Sequence, residues 1–405
     1  MHWGNVLRLF EEADATDFDG FTQLPVTVEI DPIDRCNHAC TWCFTASQRN
    51  VASLSIELLR PLVSELREGG TRSIHLSGGG EPTLHPGLFP LRGGRNDSIV
   101  ELAANAGLTV AAISNGSTLA SLDHVYLVEN LAWLRISLDA GTEERYASTH
   151  LPGHQTLKGI ERGLQALVDA RNSSPTATCV IGVSYIVDEV TPEVLSDLRL
   201  FATRMSEIGV DYVQVKPEKS AGAVFDENVD AIQTLLAESL APPTRAMLHG
   251  TMDDRQNSDY CWYAHLGTVV GATGDVYACC FTYGQESFRL GRVTADHSFT
   301  ELWQSPERSA LIKRIAPREC ETCRHSTVNQ LVERLYLLGP GWWHHITRAV
   351  THAESSVSEP IPRLPDAIEW IGPGLDHVRR VAQKPSRRYT DSPAHRPTTF
   401  IEPKL

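Results

Sequence analysis

From Val26 to Val215 the chain alternates between two hydrophobic patterns. Short runs rich in Val and Ile (Val26–Asp31, Arg72–Leu76, Leu108–Ile113, Trp133–Leu138, Ala177–Val187 and Asp211–Val215) read as strands buried in a parallel sheet. Between them apolar positions recur at helical spacing. Ser55 caps a predicted helix over Ile56–Glu68, Gly69-Gly70 stops it, and Pro61 is expected to weaken or kink it. Thr156–Arg171, Pro192–Ile208 and Asp226–Leu240 read as further helices. The spacing is about 32 residues per strand–helix unit, the size of a βα repeat. Six units fall short of an eight-stranded barrel, so the pattern predicts an α/β fold with an open six-unit (β/α)6 partial barrel.

The pattern then changes. Pro242-Pro243 and the polar run Asp253–Asp259 mark a boundary. Leu266–Gly271, a turn at Ala272–Asp275 and Val276–Cys279 predict a hairpin, followed by short helices at Phe299–Trp303 and Glu307–Ile315 and a longer one at Thr327–Leu338. Beyond Gly339 the chain is rich in Pro, His and Arg, with Trp342, Trp343 and Trp370. The expected organisation is a polar leader over 1–24 with an amphipathic stretch Val6–Glu12, a barrel over 25–245, a second domain over 255–338, and a C-terminal extension over 339–405 that packs on the body.

Composition narrows the class. Charged residues at 21% and hydrophobic ones at 41% suit a globular chain rather than a disordered or fibrous one. No apolar run approaches the ~18 residues of a membrane span, and Met1–Phe10 is too polar and short for a secretory signal, so the expected location is cytoplasmic. A net charge of −14 argues against a dedicated nucleic-acid binder.

The nine cysteines carry the chemistry, and seven fall into two groups with ligand-like spacing. An odd number without a signal peptide does not suit a disulfide framework. Cys36, Cys40 and Cys43 follow the first strand. At this cysteine frequency about 0.004 such runs are expected by chance. Three thiolates can hold three irons of a [4Fe–4S] cube and leave the fourth open to a small molecule. The competing reading is zinc, with His38 as fourth ligand. Ser77-Gly78-Gly79-Gly80-Glu81-Pro82 ends the second strand, where βα folds place their chemistry. Its glycines let the backbone approach a ligand, and Glu81 could accept from a ligand ammonium.

On these residues the chain resembles the radical S-adenosylmethionine (SAM) superfamily, over roughly Val26 to Val215. Cys36, Cys40 and Cys43 match the family's Cys-x3-Cys-x2-Cys, with the aromatic Trp42 before the last cysteine. Gly79, Gly80 and Glu81 match the motif that holds the SAM amino group. Ile113-Ser-Asn115-Gly116 and Ile136-Ser-Leu-Asp139 resemble the ends of the family's third and fourth strands, where Ser137 would contact the SAM ribose or carboxylate. Val213-Gln-Val-Lys-Pro217 resembles its sixth. Ile181 and Val183 would flank the adenine, although on their own they read first as core packing of a strand. The resemblance implies that SAM chelates the open iron and is reduced by one electron. The resulting 5′-deoxyadenosyl radical takes a hydrogen atom from a substrate. It also implies a one-electron reductant such as flavodoxin or ferredoxin, and no nucleic-acid or membrane partner.

Cys261-x12-Gly274-x4-Cys279 and Cys320-Glu-Thr-Cys323 form the second group. The spacing admits a second [4Fe–4S] cluster or a structural zinc. It resembles the shortened auxiliary-cluster domain called twitch, as in 2-deoxy-scyllo-inosamine dehydrogenase, a relative of the longer SPASM domain. The SPASM form adds later cysteines; none follows Cys323 here, so two clusters are expected. The molybdopterin cyclases are disfavoured because they end in Gly-Gly, whereas this chain ends Pro403-Lys-Leu405, and no cobalamin domain is evident. A fully ligated cluster suits electron acceptance, so the favoured reaction is dehydrogenation of a small polar intermediate such as a sugar, aminocyclitol or nucleoside. Two alternatives stay open. An epimerase would use Cys280 as hydrogen-atom donor. A maturase would modify a ribosomal peptide, although the 35 residues before Cys36 leave no room for the winged-helix domain such enzymes often carry. Cys179 reads as a buried small hydrophobe. Trp262, Tyr263, Phe281, Tyr283, Arg145, Tyr146 and His150 are the expected substrate neighbours, and Asp275 reads as a turn residue rather than a base.

Overall fold

The computed structural model describes residues 23–48, 51–94, 98–249 and 260–315, and beyond these residues 320, 323, 325, 326, 328–330, 332 and 333. The amphipathic stretch Val6–Glu12, the extension after Gly339 and most of the expected helix Thr327–Leu338 lie outside the described residues.

Seven parallel strands form the framework: β1 (Thr27–Ile30), β2 (Ser73–Leu76), β3 (Thr109–Ser114), β4 (Trp133–Ser137), β5 (Val180–Val187), β6 (Tyr212–Pro217) and β7 (Arg245–Leu248), each paired with the next. The open barrel expected from the pattern is present, with β7 as an addition. Arg245-Ala-Met-Leu248 is short and partly exposed and follows two prolines, so it carries no strand signature of its own, yet it pairs in register with β6.

The helices start where side chains cap them. Those described are α1 (Ile56–Glu68), α2 (Ile99–Asn105), α3 (His124–Asn130), α4 (Glu143–His150), α5 (Leu157–Ser173), α6 (Pro192–Ile208), α7 (Gly222–Glu227) and α8 (Val229–Ser239). Ser55, Ser98, Asp123, Thr142, Thr156 and Thr191 each accept from a backbone N–H in the first turn of the helix that follows. Pro61 sits inside α1 without ending it. Leu59, Leu62, Val63 and Leu66 are buried on one face, and at roughly 2 kcal/mol each they outweigh the ~3 kcal/mol cost of an interior proline. The single helix expected over Asp226–Leu240 is instead the pair α7 and α8, which meet at Asn228.

The chain forms two compact units. The larger comprises Thr22–Asp254 and Ala264–Ile312, so the expected hairpin belongs to it. Its strands β8 (Gly267–Val270), β9 (Asp275–Tyr277) and β10 (Arg289–Arg292) continue the sheet, whose order is β10-β9-β8-β1-β2-β3-β4-β5-β6-β7. β8 runs parallel to β1, and β9 and β10 are antiparallel additions. The helices α9 (Phe299–Trp303) and α10 (Pro306–Ile312) fasten this segment. Trp303 Nε1 donates to the Gln23 carbonyl at 2.7 Å, and Thr300 N donates to Glu65 of α1 at 2.9 Å. The buried Arg308 lies over the Trp303 ring at 3.6 Å and donates to the Ala264 carbonyl. Asp275 binds Arg289, Arg292 and Thr273, which closes the β8–β10 corner and confirms its structural position.

The smaller unit comprises Met1–Phe21, Arg255–Tyr263 and Lys313–Leu405. Within it Tyr263 stacks on His325, with ring centroids 3.4 Å apart. Asn329 is fully buried, accepts from the Tyr263 N–H at 2.8 Å and directs its Nδ2 at Cys323 Sγ, 3.7 Å away.

Candidate active site

The loop after β1 carries Cys36, Cys40 and Cys43, all partly exposed. Each sulfur faces a polar side chain. Asn115 Nδ2, at the end of β3, lies 3.8 Å from Cys36 Sγ. His150 Nδ1, at the end of α4, lies 3.2 Å from Cys40 Sγ, and Thr45 Oγ1 lies 3.3 Å from Cys43 Sγ. Groups that can donate to sulfur stabilise thiolates over thiols, which is what metal ligation requires. The backbone is held as well. Ala39 N donates to the His150 carbonyl and Thr41 N to the Thr149 carbonyl, while Asn115 and Ser117 bind Asn37. The Trp42 ring meets His150 edge-on, at 6.1 Å. His38 is buried beside Cys40 and His150, their ligand atoms mutually within 4.8 Å, so geometry alone leaves a nitrogen–sulfur metal set open.

The glycine loop meets this cysteine loop through close backbone contact. A Cβ on Gly80 would lie 2.3 Å from the Arg35 carbonyl oxygen and 2.5 Å from that of Ile33, so only glycine fits. Glu81 N donates to the same Arg35 carbonyl. The Glu81 carboxylate is buried and accepts four hydrogen bonds. Oε1 accepts from Thr83 N (3.0 Å), Thr83 Oγ1 (2.6 Å) and Ser114 Oγ (2.8 Å), and Oε2 accepts from Asn115 N (2.7 Å). Through these bonds the side chain joins the ends of β2 and β3. Burial still pushes its pKa up, opposed by these hydrogen bonds.

Two further acids stand beside Gly78 and Gly79, and sequence reasoning missed them. Asp31 ends β1 and Asp34 begins the cysteine loop; they are 3% and 2% exposed. Burial first, then the charges of Glu29 and Asp34, push Asp31 well above the usual carboxylate range. Tyr283 Oη donates to Asp34 Oδ1 at 3.0 Å, which ties the turn after Cys279 to the cysteine loop. The rings of Phe44 and Phe281 stack between the same two loops, at 6.0 Å.

The remaining expected residues separate by strand face. Tyr185 packs its ring on Phe201 of α6 and donates to Asp197, so it faces the helices. Ile181 and Val183 share that face by the two-residue period and are fully buried, so they are core residues, not adenine contacts. The opposite face carries Ser137, paired in register with Ser184, which in turn pairs with Gln214. Arg135 Nη1 donates to Gln214 Oε1 at 2.7 Å, and Gln214 Nε2 lies 2.8 Å from His249 Nε2. Scattered along β4, β5 and β6, with His249 just past β7, these polar residues have no sequence motif; only alternation within each strand could have flagged them. Arg145 is committed to Asp188 and to the Tyr185 ring, and Tyr146 and His150 lie beneath the cysteine loop. None of these three is placed as a substrate neighbour. Burial holds His150 down at about 4 and raises Asp139, 3.5 Å from its Nε2, to about 6. Cys179 is buried, and burial pushes its thiol up to about 12. Cys279 caps a short turn over Cys280–Thr282, in which Cys280 is half-buried; Cys261, Cys320 and Cys323 are also half-buried.

Residues 30–201 match the family described as the radical SAM superfamily, and residues 261–325 match the SPASM iron–sulfur cluster-binding domain. This is a radical SAM chain with a SPASM-type domain. The first match implies SAM and a [4Fe–4S] cluster, and the second an auxiliary iron–sulfur cluster. Among curated proteins the chain is 28% identical over 173 residues to a GTP 3′,8-cyclase of Aeromonas hydrophila, covering 40% of this chain and 47% of the cyclase. It thus spans about half the length of that relative. Among solved structures it resembles Streptococcus suis SuiB bound to S-adenosylmethionine (TM-score 0.54, 12% identity, 71% of this chain and 68% of that one). It also resembles native anSMEcpe with bound AdoMet (TM-score 0.52, 16% identity, 80% of this chain and all of that one). At these identities the likeness is one of fold. No described helix is long and apolar enough to cross a membrane.

Proposed function

We propose that the chain is a radical SAM dehydrogenase acting on a small polar metabolite such as a sugar, aminocyclitol or nucleoside. The observation that carries this reading is the second cysteine set, Cys261, Cys279, Cys320 and Cys323, complete within the matched iron–sulfur domain. When bound, the SAM-ligated cluster supplies a radical that removes a substrate hydrogen atom. Cys36, Cys40 and Cys43 would hold that cluster, with Asn115, His150 and Thr45 steadying their sulfurs. Ser137, in register with Ser184 on the face away from the helices, would contact the SAM ribose or carboxylate.

Removing a carbinol hydrogen atom leaves one electron and one proton to be lost before a ketone results. Four thiolates leave the auxiliary cluster no open iron, so it suits electron acceptance rather than substrate ligation. The Phe44–Phe281 stack brings the loop of Cys279 against the loop of Cys43, which supports that route. Reconstituted protein is expected to hold about eight irons and eight sulfides, and its product to be two hydrogens lighter than the substrate. Cys320→Ala should still cleave SAM yet yield little ketone. A product of unchanged mass, carrying one deuterium after reaction in heavy water, would instead make Cys280 the hydrogen donor of an epimerase. About four irons in the wild type, or zinc in the second site, would remove the electron acceptor and the proposal with it.

A further inference from the structure

We infer that Asn115 sets the reduction potential of the iron–sulfur cluster held by Cys36, Cys40 and Cys43, by directing an N–H of its side-chain amide at the Cys36 sulfur. The inference rests on the radical SAM reading and assigns a residue within it. Asn115 then acts through a cysteine, as a positioning residue, rather than through SAM.

The surroundings fix which way the amide points. The oxygen and nitrogen of an amide have nearly the same shape, so their partners decide the orientation. The Ser117 N–H can only donate and lies 2.9 Å from Asn115 Oδ1, so the oxygen faces it and Nδ2 faces the other way. Asn37 agrees with this. Its Nδ2 donates to Ser117 Oγ at 2.8 Å, which turns its Oδ1 towards Asn115 Nδ2 at 2.9 Å. One hydrogen of Asn115 Nδ2 goes to Asn37, and the other is directed at Cys36 Sγ, 3.8 Å away. The residue is buried, and its backbone N–H is anchored on Glu81 Oε2 at 2.7 Å.

The contacts at the other two sulfurs are less determined. Thr45 has a single hydroxyl hydrogen, and the Gly79 carbonyl at 3.1 Å competes for it with Cys43 Sγ at 3.3 Å. His150 Nδ1 donates to Cys40 Sγ in one tautomer and accepts in the other. The amide N–H has no such alternative. Reducing a cluster adds negative charge to its sulfurs, so a donor fixed on one of them favours the reduced form and raises the potential.

The test is a redox titration of the anaerobically reconstituted full chain, without SAM, followed by electron paramagnetic resonance. The first cluster is the [4Fe–4S] signal that changes when SAM is added to the reduced protein. Asn115→Asp keeps an oxygen for the Ser117 N–H and replaces the donor by an acceptor. Asn115→Leu keeps a similar shape and removes both. Each should shift the midpoint of the first cluster to more negative potential by more than the spread of replicate titrations, Asp further than Leu, and leave the second cluster where it was. If the Leu variant holds no cluster, the Asp variant decides alone. Ser117→Ala loosens Asn37 but keeps the Asn115 amide and its backbone partner, so clusters that assemble in it should titrate as in the wild type. An unchanged midpoint in the Asn115 variants, or an equal shift in Ser117→Ala, overturns the inference and leaves the radical SAM reading intact. A wild-type signal that does not respond to SAM overturns that reading, and the inference with it.

Discussion

Replacing Glu81 by glutamine tests whether this side chain is a strut between two strands. The carboxylate accepts from two backbone N–H groups and two hydroxyls, all inside a buried site. A carboxamide has one acceptor oxygen and one donor NH2. With its oxygen toward Thr83 and Ser114, its NH2 opposes the Asn115 N–H, which is 2.7 Å from the oxygen it replaces. Turned the other way, it opposes the Thr83 N–H, while the hydroxyls can rotate to accept. Either orientation leaves at least one backbone donor unmet, which costs about 1–3 kcal/mol. For a domain of this size that corresponds to an apparent melting temperature lower by about 3–10 °C. Asn115 also contacts Cys36 and Asn37, so the loss should reach the cysteine loop and lower the iron retained at the first site. Differential scanning fluorimetry and iron analysis on wild type and Glu81→Gln measure both effects. A variant as stable and as iron-rich as the wild type would show that the four bonds do not carry the junction.

Gly80→Ala should displace the cysteine loop, because the added carbon meets backbone oxygens that cannot rotate away. Iron should fall by about half, from two cubes to one, with secondary structure unchanged by circular dichroism; full iron retention would contradict the close approach. Asp275 is held at about 2 by its bonds with Arg292, Thr273 and Arg289, which outweigh the effect of burial. A depressed carboxylate stabilises the fold above its ordinary pKa near 4 and loses that contribution as pH falls through about 2. The stability gap between apoprotein wild type and Asp275→Asn should therefore be constant from neutral pH to about 4 and close towards pH 2. A gap that persists undiminished at pH 2 would refute the ion-pair account.

Much of the barrel was legible because buried parallel strands are nearly continuous in Val and Ile, and because the capping Ser and Thr residues sit one position before their helices. The cysteine loop and the glycine loop were legible from spacing. What escaped the sequence depended on three-dimensional register. Ile181 and Val183 lie one residue out of phase with the face that Ser137 and Ser184 share, a distinction hidden when a strand is apolar on both sides. Glu81 accepts from groups around it and on β3, and Asp31 and Asp34 become a pair only when β1 ends against the glycine turn. β7 has too few apolar residues to announce itself, and nothing in the hairpin sequence shows that β8 adds to the barrel beside β1.

The most direct test of the central claim is the formation of 5′-deoxyadenosine by anaerobically reconstituted protein given SAM and dithionite, followed by chromatography. The account predicts steady formation by the wild type and none by the variant in which Cys36, Cys40 and Cys43 are all alanine. Cleavage by that variant, or no cleavage by an iron-replete wild type, would contradict it.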